Sequence, residues 1–203
     1  MTTTQAPERD SASRTVAPKQ LRKCLSRYTT GVTVVTYATA DGIRGLTMNS
    51  FTSVSLDPPL ILVSLARHAK ACDGIDGKPF AINVLRSDQM DVALQFAGRP
   101  QPGVRLRWEH DDPADPLAPS LAGAVAVFHC TPWRRYDGGD HLLHIGEVVH
   151  AETRPGDPLV FSDGGFATTG LPLLDGPLLI TPNGAPAPSW SLAAHRFHHT
   201  SEL

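Results

Sequence analysis

The stretch from Gly123 to Thr153 most constrains what this chain can fold into. "GAVAVFHCTPWRRY" and "HLLHIGEVVHAET" read as two long strands, with Asp137-Gly138-Gly139-Asp140 between them. Two central glycines take φ > 0 at no steric cost, so the stretch predicts a two-residue hairpin turn and an antiparallel pair. The turn accounts for the glycines but not for His141, the first residue of the returning strand. Its imidazole can donate or accept near neutral pH, and Asp140 beside it can bias its charge. A lone histidine beside a turn also has a plain structural reading.

The rest of the chain follows the same style. "VTVVTYATADG" is rich in β-branched residues and ends in the hairpin signal Asp41-Gly42. "IRGLTMNSFTSVSL" alternates through Leu46, Met48, Ser50, Thr52 and Val54 as one half-buried strand, which Asp57-Pro58-Pro59 breaks. "LILVSLA" and "PFAINVL" are core strands, and "DPLVFSDGGFATTG" predicts one last short strand. Helical spacing is confined to "KQLRKCLSRYTTG", entered at Pro18 and closed by Gly31, a brief turn at "KACDGIDGK", and "DQMDVALQFAG", capped by Ser87 and ended by Gly98. "RPQPGVRLRWEHDDPADPLAPS" reads as a long surface loop. Many strands with few, short helices predict a mainly β fold, a closed or nearly closed antiparallel barrel. Residues 1–18 predict a disordered lead-in, 19–180 the domain, and 181–203 a Pro/Ala/His-rich tail.

Composition excludes several classes of function. A net charge of −2 over 203 residues leaves no basic footprint for nucleic acid. Trp108, Trp133 and Trp190 do not interleave with basic residues as a stacking platform requires. No apolar run reaches the ~20 residues of a membrane span, and the N-terminus lacks a signal core. A soluble, cytoplasmic protein is expected. Cys24, Cys72 and Cys130 are odd in number and far apart, so they are read as buried free thiols. His195, His198 and His199 have loose metal-like spacing but no carboxylate or cysteine nearby, so no metal site is expected. A dinucleotide Gly-x-Gly-x-x-Gly, a phosphate loop and a Gly-x-Ser-x-Gly elbow are all missing.

Two segments can carry chemistry. "GLTMNSFTSVSL" crowds Thr47, Asn49, Ser50, Thr52, Ser53 and Ser55 onto one strand region. Such donors and acceptors can ring a planar heterocycle, or simply give an edge strand its polar face. "SLARHAK" places Arg67 and Lys70 at the start of a helical turn, suited to a phosphate or to solvent.

Together these segments resemble the flavin reductase family, the small reductase components of two-component flavin-dependent monooxygenases. The matching pieces are "GVTVVT", "GLTMNSFTSVSLDPPLILVSL", "FAINVL", "QFAGRP" and "DGGDHLLHIGEV", in family order. The resemblance implies a split β-barrel that binds FMN or FAD, with NADH or NADPH as hydride donor. It further implies a homodimer with sites near the subunit interface, and reduced flavin passed to a separate oxygenase. By the same resemblance Thr47, Met48, Asn49 and Ser50 line the flavin ring and ribityl chain, with Ser53 and Ser55 on the same segment. Ser64, Leu65, Ala66, Arg67 and Lys70 hold the flavin phosphate, and His141, with Asp140 beside it, faces the nicotinamide. Phe166 stands where the family often has tyrosine. That departure and the tail leave open a flavoenzyme with tightly held flavin and its own substrate. A non-catalytic flavin or haem module on the same barrel is the third reading.

Overall fold

The computed structural model describes residues 16–112 and 114–170. Helix α1 (Pro18–Leu25) leads into the short strand β1 (Thr30–Gly31). β2 (Thr33–Thr39) and β3 (Gly42–Met48) form a hairpin, as do β4 (Thr52–Leu56) and β5 (Pro59–Ala66). Helix α2 (Lys70–Gly74), β6 (Phe80–Val84) and α3 (Met90–Phe96) follow, then the short strands β7 (Trp108–Glu109) and β8 (Ser120–Leu121). The long strands β9 (Ala126–Gly138) and β10 (His141–Thr153) precede a final hairpin of β11 (Leu159–Ser162) and β12 (Gly165–Thr168).

Seven strands pair antiparallel in the order β3-β2-β6-β9-β10-β5-β4. β3 and β4 occupy opposite edges, yet only residues 49–51 separate them in sequence. A flat seven-stranded sheet is ~29 Å across, six gaps of ~4.8 Å. The link from Met48 to Thr52 reaches at most ~14 Å. The sheet must therefore curl until its edges meet, which makes a barrel whose seam is crossed by chain rather than by a ladder. The main core agrees: Val35 and Tyr37 of β2 share one cluster with Ile61, Val63 and Leu65 of β5, four strands away. Phe80, Ile82 and Cys130 complete that interior, and Cys72 and Ile75 plug it at α2.

β2 is buried on both faces. Val35 and Tyr37 point into the barrel, whereas Val34 joins Val32, Leu85, Ala93, Leu121 and Leu159 in a second cluster outside it. A continuous β-branched run is what a doubly covered strand requires. β11 and β12 pair with β1 as a three-stranded sheet beside this second cluster.

The structure corrects several local expectations. The segment 43–56 is not one strand: it breaks at residues 49–51, because the chain must cross the seam there. α1 ends at Leu25, short of Gly31, where the Ser26 hydroxyl donates to the Lys23 carbonyl and the chain departs to make β1. Its apolar side chains Leu21 and Leu25, with Tyr28 beyond, are exposed, and so is Cys24. Cys72 and Cys130 are buried free thiols as expected. Ser87 does not cap α3; Gln89 holds the N-cap position without a side-chain bond. The 99–120 loop carries the β7–β8 pair, and the last strand is a hairpin of two. The tail, residues 181–203, lies outside the described residues, as does most of the lead-in.

Candidate functional site

The β9–β10 turn places His141 where the sequence puts it, but by a different two residues. Gly138 pairs with His141, so the loop is Gly139-Asp140, with Gly139 at φ +81. The register of β10 on β5 sets His141 opposite Ala66 and Leu143 opposite Ser64. "SLAR" at the end of β5 therefore lies alongside the exit of the turn.

Arg67 locks this arrangement. Its backbone N–H donates to the Asp140 carbonyl (3.1 Å), its Nε to the Gly139 carbonyl (2.6 Å), and its Nη2 to the Asp137 carboxylate. Asp137 also accepts the Gly139 N–H, and these two bonds hold its carboxyl below the usual carboxylate range. His141 Nδ1 lies 2.7 Å from Asp140 Oδ1. A carboxylate only accepts, so Nδ1 carries the proton and Nε2 keeps its lone pair, on a ring that is 41% exposed. The bond from His141 likewise keeps Asp140 low.

On the other side of β5, the corner at residues 49–51 contributes the second half. The β4–β5 ladder ends at Thr52 opposite Leu62, so continued register would set residue 50 opposite Ser64. The chain has turned away, and the Ser50 side chain takes over. Its hydroxyl donates to the Ser64 carbonyl (2.9 Å) and accepts the Ser64 N–H (3.2 Å). Asn49, exposed at the corner, lines a cavity of about 410 Å³ with Tyr28, Thr29, Thr30, Gly31, Ser50, Phe51 and Thr52. Among the described residues the buried Thr30 Oγ1 in that wall has no hydrogen-bond partner. An uncharged, oxygen-rich cavity with one unpaired hydroxyl suits a planar polar heterocycle such as a flavin ring.

The candidates divide accordingly. Ser50 meets Ser64 on one side of β5, with Asn49 lining the cavity beside it, and Ala66 and Arg67 meet Asp140 and His141 on the other. The Thr47 hydroxyl is turned to the other side, donating to the Ala93 carbonyl of α3 at 2.6 Å, and Met48 packs against the barrel core. Leu65 is in the core, so only its backbone faces a ligand. Ser53 and Ser55 sit further along β4, separated by a bulge, and Lys70 is exposed at the start of α2. Phe166 packs edge-to-face on Phe161, 5.7 Å away, against the second cluster. It stands two strands from Thr30 and outside the cavity lining, as does His141. Tyr28, Thr29, Thr30 and Phe51 were not singled out from sequence. The "GVTVVT" match beginning at Gly31 was the nearest signal.

Behind the turn, burial tunes a second pair. His144 is buried and its Nε2 lies 3.5 Å from Cys72 Sγ. Desolvation lowers the His144 pKa and raises that of Cys72, so both are held neutral. The same effect pushes Cys130 up to about 12.

Residues 25–170 match the model of the flavin reductase like domain. The chain belongs to that family. It is 42% identical over 149 residues to an NADH-dependent FMN reductase of Agrobacterium fabrum, covering 73% of this chain and 84% of that protein. The NADH:FAD oxidoreductase of Streptomyces globisporus C-1027, solved with NAD and FAD fragments, superposes at a TM-score of 0.68. It is 37% identical and covers 80% of this chain and all of that one. BorF, the flavin reductase component of a bacterial two-component tryptophan halogenase, matches at a TM-score of 0.65. It is 39% identical over 75% of this chain and 98% of its own. Among the described residues no helix is long and apolar enough to cross a membrane.

Proposed function

We propose that this flavin reductase family member is an NADH-dependent flavin reductase that releases reduced flavin to a separate oxygenase or halogenase component. The observation that carries the reading is the clasp around β5, with Ser50 bound to Ser64 on one side and Arg67 bound across the Asp137–Asp140 turn on the other. It sets an uncharged cavity on one side of β5 and a part-exposed imidazole on the other. Relatives named as NADH-dependent reductases of FMN and of FAD support the same assignment.

Bound flavin supplies the ring that accepts a hydride from the nicotinamide. The chain's own residues bind and orient. The Asn49 amide and the Thr30 hydroxyl offer donors and acceptors to the polar edge of the ring, and Ser50 keeps the corner fixed. Two of the five N–H donors of Arg67 are spent on the turn, which leaves the others for a phosphate. His141 Nε2 positions the nicotinamide nucleotide, with Asp140 fixing the ring's orientation. Correct stacking of the two rings is the main catalytic contribution, since it replaces a bimolecular encounter by a held geometry.

A homodimer fits the exposed apolar side chains of α1 and β4, the two elements whose ends adjoin the cavity. Tyr28 is 75% exposed while lining the cavity, and Leu21, Leu25, Val54 and Leu56 are exposed with it. A partner covering them would complete the cavity wall. Sedimentation of the full chain tests this, with a dimer expected.

Anaerobic titration with FMN and FAD, against NADH and NADPH, tests the function. Flavin bleaching with NADH, followed by release of reduced flavin through gel filtration, is expected. Loss of bleaching in all four combinations refutes it. The reading with tightly held flavin predicts co-elution instead.

A further inference from the structure

At the opposite end of the β9–β10 hairpin from His141 lies a polar cluster that the flavin chemistry does not use. A ring nitrogen of His110, one of His129 and a carboxylate oxygen of Glu152 all lie within 4.8 Å of one another. The register explains the meeting: His129 of β9 pairs with His150, and Glu152, two residues on, is carried beside it. The β7–β8 loop brings His110 over the top, its ring edge-to-face on His129 at 4.9 Å. His110 holds φ +54, a conformation uncommon outside glycine.

The hydrogen bonding is incomplete in an informative way. His129 is wholly buried, and the Ala118 carbonyl is close to its ring without meeting hydrogen-bond geometry, so among the described residues at least one ring nitrogen is left without a partner. Glu152 Oε1 is also buried and unpaired, while Oε2 accepts from Arg154 Nη2 at 2.9 Å. His110 Nδ1 is bound to Asp115 Oδ2 at 2.8 Å, which leaves Nε2 with a free lone pair. Glu109 and Glu152 share one guanidinium, Arg154, and a third carboxylate, Asp115, pairs with His110. A cation that takes lone pairs would satisfy these atoms together. His110 also borders a cavity of about 390 Å³ walled by Asp111, Asp112 and Asp115, an acidic approach from solvent.

We propose that His110, His129 and Glu152 bind a divalent first-row transition cation of the Zn2+ type, which pins the β7–β8 loop to the β9–β10 hairpin. Two imidazoles and one carboxylate are a ligand set that Zn2+ accepts, with water at the fourth position. Around Zn2+ the ligand atoms stand about 3.4 Å apart, so the cluster contracts by little more than 1 Å from its present span. Asp115 on His110 and Arg154 on Glu152 orient the ligands from behind, as outer partners do in metal sites.

The test uses the full chain stripped with chelator and titrated with Zn2+ by calorimetry, and with Co2+ by visible absorbance. One Zn2+ per chain at about micromolar affinity or tighter is expected, with Co2+ d–d bands and a raised melting temperature. Glu152→Gln keeps the shape and the bond to Arg154, and His110→Ala removes a half-exposed ring; each should weaken binding by at least ~10-fold. Asp115→Asn should weaken it less, and near-ultraviolet circular dichroism checks each variant's fold. No stoichiometric binding overturns the proposal. So does binding that survives Glu152→Gln and His110→Ala but is lost when His195, His198 and His199 are replaced together. None of these readouts depends on flavin reduction, so they stand apart from the test of the proposed function.

Discussion

Replacing Ser50 by alanine tests how the barrel seam is closed and whether that closure holds the ligand site. One hydroxyl serves both backbone groups of Ser64, at 2.9 and 3.2 Å, in place of a ladder that β4 no longer provides. Each such bond contributes a net ~0.5–1.5 kcal/mol, so losing both costs about 1–3 kcal/mol. The half-buried position lets some water in, which favours the lower half of that range. For a domain of this size, at about 2–4 °C per kcal/mol, the melting temperature should fall by about 2–8 °C. Because Asn49 and Phe51 flank the freed residue, the cavity loses definition and flavin affinity should drop with stability. Thermal and urea unfolding give the first number and flavin fluorescence quenching the second. Ser50→Thr retains the hydroxyl and should recover most of both, while Ser53→Ala, exposed and further along β4, should stay within ~0.5 kcal/mol of the parent. A Ser50→Ala protein that melts within about 1 °C of the parent and binds flavin equally well refutes the clasp.

Other perturbations test neighbouring parts of the structure. His141→Ala should raise the KM for NADH about 5–10-fold and change flavin affinity little, since one positioning bond of ~1–1.5 kcal/mol is lost; steady-state kinetics with varied NADH decide it. Gly146→Ala puts a Cβ 2.6 Å from Phe80 Cζ and 3.0 Å from Cys130 Cβ, in a core where neither can move, so urea unfolding should show a loss of ~1–3 kcal/mol. Asn83→Leu orphans the Val34 carbonyl and the Leu121 N–H in a fully buried site, and the soluble yield and melting temperature should both fall sharply. Stability should also decline with acid. Burial depresses the folded pKa of His144, so the unfolded chain binds the proton first and stability is lost as pH falls from about 6.5 toward the folded value. His144→Gln should flatten that part of the pH–melting curve.

The strands and the turn were legible because their signals are local. The short apolar run "LILVSLA" and the glycines before His141 report on backbone conformation at the residue itself. The seam corner was not legible in that way. Leu46, Met48, Ser50, Thr52 and Val54 keep perfect alternation through residues 49–51, yet the chain must bend there because β3 and β4 are the two edges of one closed sheet. That constraint lives in the strand order, which no local pattern carries. Apolar spacing in α1 misled in the opposite sense, since Leu21, Leu25 and Tyr28 face solvent in the single chain. Within the candidate site, Asn49, Ser50 and Arg67 stand out in sequence by hydroxyl, amide and cation crowding, whereas the role expected of His141 rests on the family resemblance. The Thr47 hydroxyl was counted with them, but strand pleating turns it toward α3. The His110, His129 and Glu152 cluster left no spacing signal at all, because the β9–β10 register and a loop from another sheet assemble it.

That register also explains how one hairpin can serve two ends independently. From His141 to His150 the strand covers about 30 Å, nine residues at ~3.3 Å each. Two irregularities interrupt the pairing between them, at Ile145/Gly146 and at Val148/His150. The first lies where Gly146 presses on Phe80 and the second where β10 leaves the barrel core for the acidic cluster. Each bulge locally increases twist and breaks the ladder, so displacement at one end is absorbed before it reaches the other. Coupling between the flavin side and the His129 end would need a two-state element linking them, and the interior of β9 and β10 is packed in one arrangement around Phe80, Ile82 and Cys130. Loading or stripping a cation at His129 should therefore move the melting temperature without moving the flavin dissociation constant. Equal shifts in both would mean that the hairpin acts as a rigid lever, and that its two bulges do not isolate its ends.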